Sequence, residues 1–224
     1  MEARARVNVL DDDASVVVAL RRMLESEPFE VRTWTSASKF LAEPDPGRPT
    51  CLVCDLVMPE MNGLDLQRAL QARGDCPSIV FVTAQGALPS VVQGMRAGAV
   101  TFLSKPVLRD ELVSAIQEGL KCDAAARAGR EARQVLESRL SRLSTRESEV
   151  LALVISGLRN KQVGAILGIT EKTVKAHRAA VMRKMEARSL AELVSSLGED
   201  PLRQRPKPAP RALPSRPVLI SRRA

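Results

Sequence analysis

The stretch TCLVCD, residues 50–55, is an apolar run that ends on a carboxylate. Three further apolar runs in the first half of the chain also stop at polar residues: 5–10, 78–82 and 100–104. The polar residues that follow the four runs are, in chain order, Asp11 and Asp12, Asp55, Thr83, and Lys105. Ligands of an open parallel sheet bind beyond the carboxyl ends of its strands. The pattern therefore predicts a single pocket lined by carboxylates, a hydroxyl and an ammonium group.

Strand-like and helix-like segments alternate through the first 120 residues. The predicted strands cover 7–10, 29–33, 51–54, 78–82 and 100–103. The predicted helices cover 14–25, 36–43, 63–73 and 89–97, and a fifth begins at Arg109. Five strands alternating with five helices indicate an α/β fold with a doubly wound parallel sheet. Right-handed crossovers favour the strand order 2-1-3-4-5.

The second half of the chain has an all-helical pattern. No proline occurs between Pro106 and Pro201, as uninterrupted helices require. We expect a capping box at Ser144 and Glu147, a C-terminal glycine at Gly168 and an N-cap at Thr170. The predicted parts of the chain are an α/β domain at 1–121, a helical or partly helical linker at 122–141, a small all-α domain at 142–198 and a disordered tail at 199–224.

Charge divides the chain at about the same place. Residues 1–120 carry 12 Lys and Arg against 16 Asp and Glu, whereas residues 121–224 carry 22 against 10. A strongly basic half predicts a polyanionic partner, of which nucleic acid is favoured. The chain has no apolar stretch of about 18 residues that could span a bilayer and no signal-peptide pattern at its start. We therefore expect a cytoplasmic protein without a membrane partner. The tail is basic and proline-rich. Two interpretations are open: the tail attracts DNA nonspecifically, or it has no role.

The Cys-x-x-Cys pair at Cys51 and Cys54 suggests a metal or redox site. Both residues lie in a predicted strand, where side chains three positions apart point to opposite faces of the sheet. Such side chains cannot share a metal ion or form a disulfide. We therefore predict free thiols here, and also at Cys76 and Cys122.

The predicted pocket suits phosphoryl chemistry. Asp11, Asp12 and Asp55 follow neighbouring strands, and their oxygen ligands suit Mg²⁺. Lys105 would pair with the phosphoryl oxygens, and Thr83 would donate its hydroxyl group to another oxygen. The adjacent Asp13 is interpreted as the N-cap of the first helix.

The first half resembles the receiver domain of two-component response regulators over residues 5–120. The matching segments are CLVCDLVMPEMNGLDL at 51–66, IVFVTAQG at 79–86 and GMRAGAVTFLSKP at 94–106. The resemblance implies that Asp55 accepts a phosphoryl group from a sensor histidine kinase, with Thr83 and Phe102 as switch residues. Phe102 is also consistent with an ordinary core residue. Gly94 departs from the family, in which alanine is more usual at this position.

Two predicted helices around Gly168 suggest a helix-turn-helix, since the second, residues 171–185, is rich in Lys and Arg. A four-helix bundle with a solvated basic face is the alternative. Residues 143–194 resemble the LuxR-type helix-turn-helix, and with the receiver they indicate a response regulator of the NarL/FixJ type, nearest the FixJ branch. This resemblance implies that DNA is contacted by Lys172, Thr173, Lys175, Ala176, Arg178 and Ala179. His177, the only histidine, either contacts a phosphate or packs inside the domain.

These observations predict a transcriptional regulator that is activated by phosphorylation of Asp55. We expect a homodimer in the phosphorylated state, which binds half-sites in double-stranded promoter DNA. No nucleotide-binding P-loop or catalytic triad can be found, so an enzyme is not expected. The alternatives are a DNA-binding regulator that acts independently of phosphorylation and a receiver-based signalling adaptor.

Overall fold

The computed structural model describes residues 4–43, 47–74, 76–84 and 88–197. The described strands are β1 Arg6–Leu10, β2 Glu30–Trp34, β3 Thr50–Asp55, β4 Ser78–Thr83 and β5 Thr101–Ser104. The helices within the same residues are α1 Ala14–Leu24, α2 Ala37–Ala42, α3 Gly63–Arg73, α4 Leu88–Arg96, α5 Arg109–Ser141, α6 Thr145–Ile155, α7 Asn160–Leu167, α8 Glu171–Lys184 and α9 Leu190–Leu197. The predicted tail at 199–224 lies outside the described residues.

The strands form one parallel sheet in the order β2-β1-β3-β4-β5, which confirms the predicted fold class. The register aligns Leu10 with Cys54, so Asp11 and Asp55 each stand one position further along their strands. At the other side of β4, Thr83 is aligned with Ser104, directly before Lys105. The pairing therefore brings the polar strand endings to one edge of the sheet.

Two apolar layers cover the sheet because side chains alternate along each strand. One layer joins the strand residues Val7, Cys51 and Val53 to α1 and α5. The other layer joins Leu52, Cys54 and Phe81 to α2 and α3. Cys51 and Cys54 thus lie in different layers as free thiols, and burial raises the pKa of both. Cys122 is free as well, and the Cys76 thiol donates a hydrogen bond to the Pro77 carbonyl at 3.4 Å. As predicted, no disulfide joins these four cysteines, all of which lie in the described part of the chain.

The chain divides into two compact units, and the boundary between Ala132 and Arg133 lies inside α5. Residues 122–141, predicted as a helical linker, belong to this helix. Gly129 does not interrupt the helix, although glycine weakens helices by roughly 1 kcal/mol relative to alanine. No helix among residues 4–43, 47–74, 76–84 and 88–197 is long and apolar enough to cross a membrane.

The second unit is held together by two apolar clusters. The first cluster includes Leu151, Val181 and Leu193, and the end of α5 contributes Leu140 to it. The second cluster is formed by valines of α6, α7 and α8, which are Val150, Val154, Val163 and Val174. The second cluster packs α7 against α8, the two helices of the predicted helix-turn-helix.

Candidate functional site

The carboxylates at the ends of β1 and β3 are brought together as the sequence predicts. Asp11 is 1% exposed and Asp55 is 9% exposed, whereas Asp12 faces solvent. One carboxylate oxygen from each of the three residues can be chosen so that all lie within 4.8 Å of one another. Three hard oxygen ligands at this spacing, one of them open to solvent, fit a Mg²⁺ ion that keeps several of its waters.

Lys105 connects the two buried carboxylates. Its Nζ atom lies 2.6 Å from Asp11 Oδ2 and 3.0 Å from Asp55 Oδ2. Partial burial by itself lowers the pKa of Lys105, but the hydrogen bonds to Asp11 and Asp55 outweigh burial and raise that pKa above its usual value. The raised pKa means that the ammonium group stays charged beside the carboxylates, where it can neutralise an incoming anion. The Lys105–Pro106 peptide bond is cis.

The residue that caps α1 donates a hydrogen bond to the Asp11 side chain. The backbone N–H of Asp13 donates to Asp11 Oδ1 at 3.0 Å. Asp13 is itself the N-cap of α1, as predicted, and accepts hydrogen bonds from the hydroxyl and backbone N–H groups of Ser15. These bonds lower the pKa of Asp13, the hydroxyl contributing most. Asp13 therefore has a capping role and lies next to the pocket without joining the carboxylate group.

Thr83 and Phe102 lie on β4 and β5, on the same side of the pocket. Thr83 is buried, and its hydroxyl group donates to the Ala84 carbonyl at 3.3 Å. The half-buried Phe102 ring stacks on Phe81, with 5.1 Å between the ring centroids and 26° between their planes. Phe102 thus packs against the core. Both interpretations from the sequence, switch and core residue, remain compatible with this position.

The helix-turn-helix is built from α7, the turn at Gly168 and α8. Gly168 has φ +67°, and Thr170 caps α8 by accepting a hydrogen bond from the backbone N–H of Thr173, as predicted. A Cβ atom on Gly164 would lie only 2.7 Å from the carbonyl oxygen of Ile169. Gly164 therefore allows the turn to return close to α7.

The six predicted DNA-contacting residues divide into two groups on α8. Lys172, Lys175, Ala176 and Ala179 are exposed. Thr173 and Arg178 are half-buried and already bonded: the Thr173 hydroxyl to the Thr170 hydroxyl, and Arg178 to Asn160 Oδ1 at 3.0 Å. Lys175 forms an exposed ion pair with Glu171, with 3.4 Å between Nζ and Oε1. The exposed group forms an open surface along α8, and Arg178 links this helix to α7.

The cationic load of α8 is smaller than its sequence suggests. Lys184 Nζ lies 2.6 Å from Oε2 of the buried Glu147, so this lysine forms an ion pair within the unit. The same Glu147 oxygen accepts the backbone N–H of Ser144, which completes the predicted capping box. The bond from Lys184, followed by the bond from Ser144, lowers the pKa of Glu147 to about 2. His177, whose role the sequence left open, is half-buried on α8.

Two contacts of the first unit were missed from the sequence. The Trp34 indole Nε1 donates to Asn8 Oδ1 at 3.2 Å, and the Trp34 carbonyl accepts the backbone N–H of Asp11. Gln67 of α3 is 1% exposed and donates from Nε2 to the Ala97 carbonyl at 3.0 Å. A buried glutamine in an amphipathic helix was the only available signal for the second contact, and it does not identify the partner.

Comparison with known proteins identifies two families, each of which matches a different part of the chain. The family described as "Response regulator receiver domain" matches residues 7–117, and "Bacterial regulatory proteins, luxR family" matches residues 141–197. The response regulator protein TodT of Pseudomonas putida (strain F1) is 40% identical over 195 residues, which are 87% of this chain and 86% of TodT. The transcriptional regulatory protein FixJ of Rhizobium meliloti is 40% identical over 189 residues, 84% of this chain and 92% of FixJ.

A solved structure is similar over the same extent. The response regulator StyR aligns with a TM-score of 0.75 and 47% identity, covering 87% of this chain and 98% of StyR. These relatives share both parts of the chain, the receiver and the LuxR-type domain. The chain therefore belongs to the FixJ-type response regulators, the phosphorylation-dependent transcriptional regulators of two-component systems.

Proposed function

We propose that Asp55 is the phosphoacceptor of this response regulator and that a sensor histidine kinase is the donor. The observation that carries the proposal is the contact of Lys105 Nζ with both Asp11 and Asp55. A carboxylate can attack phosphorus only where the charge of the phosphoryl oxygens is neutralised, and a nearby ammonium group provides part of that charge. An Asp55 oxygen forms the new bond to phosphorus while the N–P bond of the kinase's phosphohistidine breaks. The histidine nitrogen keeps the electron pair.

The same pocket is proposed to bind Mg²⁺ through Asp11, Asp12 and Asp55. The support is the spacing of their carboxylate oxygens and the exposure of Asp12, which leaves room for water. When bound, Mg²⁺ would supply the remaining positive charge for the phosphoryl oxygens. Lys105 orients the two buried carboxylates toward the same point, so that Asp55 is held ready to attack.

Thr83 and Phe102 are proposed to carry the signal away from the pocket. The Thr83 hydroxyl can exchange its 3.3 Å bond to Ala84 for a bond to a phosphoryl oxygen. Phe102 of β5 lies three positions before Lys105, beside α4. Its ring would follow the movement of Thr83 and alter the surface formed by α4, β5 and α5. We propose that this surface forms the homodimer of the phosphorylated protein.

The DNA-binding proposal rests on the exposed side of α8. Lys172, Lys175, Ala176 and Ala179 would enter the major groove, with the lysines at phosphates or base edges. Thr173 and Arg178 would contact the DNA backbone. They would also hold α8 in place through their bonds to Thr170 and Asn160. In a dimer, two copies of α8 would contact half-sites of promoter DNA about one helical turn apart.

The proposed domain boundaries stay those of the sequence: a receiver at 1–121, a linker at 122–141, a DNA-binding domain at 142–198 and a tail at 199–224. The proposed output is transcription control, without enzymatic activity beyond the phosphoacceptor pocket. The proposed location is the cytoplasm, where the kinase's phosphohistidine and the promoter DNA are both accessible.

Intact mass spectrometry tests the phosphoacceptor. The purified full-length protein is incubated with acetyl phosphate and Mg²⁺, in parallel with Asp55→Asn and the control Asp110→Asn, whose parent side chain is 99% exposed. We expect one phosphoryl adduct on the wild type and on the control, and none on Asp55→Asn. When the incubation contains a chelator that removes Mg²⁺, we expect no adduct on any of the three proteins. An adduct on Asp55→Asn would contradict the assignment of Asp55.

A further inference from the structure

Gly94 of α4 lies directly against the Phe102 ring. A Cβ atom at Gly94 would be 2.8 Å from Phe102 Cζ, 3.2 Å from Phe81 Cε2 and 3.2 Å from Leu64 Cδ2. A separation below 3.0 Å is shorter than a carbon–carbon contact allows, so any side chain at position 94 forces a displacement. Gly94 is also a position at which this chain departs from the receiver family, in which alanine is more usual. The question is which of the surrounding groups would move.

The helix α4 is held at its C-terminal end and cannot easily move away. Gln67 Nε2 donates to the Ala97 carbonyl at 3.0 Å, and Gln71 Nε2 donates to the same carbonyl at 2.6 Å. The Gly94 carbonyl accepts the backbone N–H of Ala99 at 3.0 Å. These bonds attach the last turn of α4 to α3 and to the turn before β5. A retreat of α4 would break these hydrogen bonds, of which the one from Gln67 is partly buried.

The side chains around position 94 differ in their freedom to move. Phe81 is fully buried in β4, and Leu64 is tied to the same cluster. Phe102 contacts the methyl position only with the far end of its ring, and the ring is half-buried with solvent on one side. A rotation about its χ1 bond moves this ring end by several ångströms without a change in the backbone. The Phe102 ring is therefore the group that would be displaced.

We propose that Gly94 is a positioning residue that keeps the inward place against Phe81 available to the Phe102 ring. The absence of a side chain at position 94 stabilises the inward ring relative to the outward ring. This inference rests on the proposed switch role of Phe102. A receiver with alanine here would populate the outward ring more, and its phosphorylation would have to act against that preference.

The ring position can be measured by NMR on full-length protein labelled with ring-¹³C phenylalanine. The chain contains four phenylalanines, so the spectrum is simple, and Phe102→Leu assigns the signals of Phe102. The wild type should show cross-relaxation between the Phe81 and Phe102 rings and ring-current shifts in both. In Gly94→Ala we expect this cross-relaxation to disappear and the Phe102 signals to move, while those of Phe29 and Phe40 stay in place.

Gly129→Ala is the matched control. Gly129 is also a helical glycine, but a Cβ atom there would have no neighbour within 4 Å. Its phenylalanine spectrum should coincide with that of the wild type. Phe102 signals that are unchanged in Gly94→Ala, or a displacement of Phe81 in place of Phe102, would overturn the proposal. Should Gly94→Ala fail to fold, the double variant Gly94→Ala/Phe102→Leu must fold, since leucine leaves the space free; failure of both would also overturn it.

The functional consequence is measured by sedimentation after treatment with acetyl phosphate and Mg²⁺. We expect Gly94→Ala to gain the phosphoryl adduct like the wild type but to dimerise more weakly, by roughly tenfold. Equal dimerisation of variant and wild type would contradict the inference. Absence of an adduct on either protein would instead contradict the proposed function of Asp55, so the two failures are distinguishable.

Discussion

Thr50 donates its backbone N–H to Asp123 Oδ2 at 2.8 Å, although 73 positions separate these residues. Thr50 begins β3, the strand that ends at Asp55, and Asp123 lies in the middle of α5. The same carboxylate oxygen accepts a hydrogen bond from Arg127 Nε at 2.7 Å. Asp123 is only 2% exposed. The contact attaches α5 to the end of β3 that lies opposite the pocket.

Removal of this carboxylate should destabilise the first unit. We expect Asp123→Ala to lower the free energy of unfolding by about 1.5–3 kcal/mol, because the Thr50 N–H loses a charged acceptor in a buried place. Asp123→Asn should cost less, since an amide oxygen can still accept this bond. Urea unfolding measures both variants, with Asp110→Ala as the exposed control. Equal stability of Asp123→Ala and the control would refute a structural role.

Lys105→Met should make the pocket more dependent on Mg²⁺. Without the ammonium group, the negative charges of Asp11 and Asp55 are not neutralised. We therefore expect the free energy of unfolding to fall by about 2 kcal/mol when Mg²⁺ is removed with a chelator. Mg²⁺ should then raise the thermal midpoint of the variant more than that of the wild type, because the ion restores the missing charge. Lys39→Met, which removes an exposed lysine of α2, should respond like the wild type. A smaller Mg²⁺ response in Lys105→Met would argue against a shared site.

Gly63→Ala should disturb the phosphoacceptor strand. A Cβ atom at Gly63 would lie 2.7 Å from the Asp55 carbonyl oxygen and 2.6 Å from Phe81 Cε1, both in the tightly packed sheet. We expect a loss of about 1–3 kcal/mol in stability and slower formation of the phosphoryl adduct, measured by urea unfolding and timed mass spectra. Gly129→Ala serves again as the control, and should gain up to about 1 kcal/mol. Adduct formation at the wild-type rate would mean that Asp55 does not depend on this contact.

The ion pair of Glu147 and Lys184 should give the second unit a pH-dependent stability. The pKa of Glu147 falls from its ordinary value of 4.5 to about 2 in the folded state, so the carboxylate stabilises the fold above pH 4.5. This stabilisation is lost as the pH falls from 4.5 toward 2. Glu147→Gln keeps a residue suited to the capping box but loses the charge.

We therefore expect Glu147→Gln to be less stable than the wild type at pH 7 and to approach it as the pH falls to 2. The ¹H NMR signal of His177, the only histidine, reports the unfolding of this unit in urea. A stability difference that stays constant between pH 7 and pH 2 would show that the charge of Glu147 has no part in it.

Lys175→Ala should weaken the binding of specific DNA by roughly 1–3 kcal/mol if this lysine contacts a base. Its exposed ion pair with Glu171 is worth little, so the lysine is free to move to DNA. If Lys175 contacts a phosphate, the salt dependence of binding should decrease by about one counterion and the sequence preference should stay. Fluorescence anisotropy with a selected DNA site distinguishes these cases. The control is Lys121→Ala, which removes an exposed lysine of α5 and should bind DNA like the wild type. If Lys175→Ala also binds like the wild type, the assignment of Lys175 is wrong.

The sheet and its strand endings could be predicted because they depend on local patterns. Apolar runs of four to six residues identify the strands, and the rule for parallel sheets brings their ends together. The helix ends at Asp13, Ser144 and Gly168 were likewise predicted from capping chemistry. The predicted strand 29–33 differs from β2 by a single residue at each end, a difference typical of such assignments.

The contacts between distant side chains could not be predicted in this way. Nothing in the local sequence around Gln67 indicates that its amide reaches Ala97, 30 positions away. Lys184 belongs to the basic segment 171–185, and nothing in the sequence around it indicates that it pairs with Glu147, 37 positions away. Such pairs depend on the packing angle of two helices, which is decided by the whole core and not by the residues that form the contact.

Trp34 is the only tryptophan of the chain, and its position next to Asp11 makes it a natural optical reporter. The indole bonds to Asn8 in the strand that leads into Asp11, while the Trp34 carbonyl holds the Asp11 backbone. Indole emission responds to small changes in nearby charge and polarity. The intrinsic fluorescence of the unlabelled protein should therefore follow the titration of Mg²⁺ and the arrival of a phosphoryl group in real time, without a dye or an added residue.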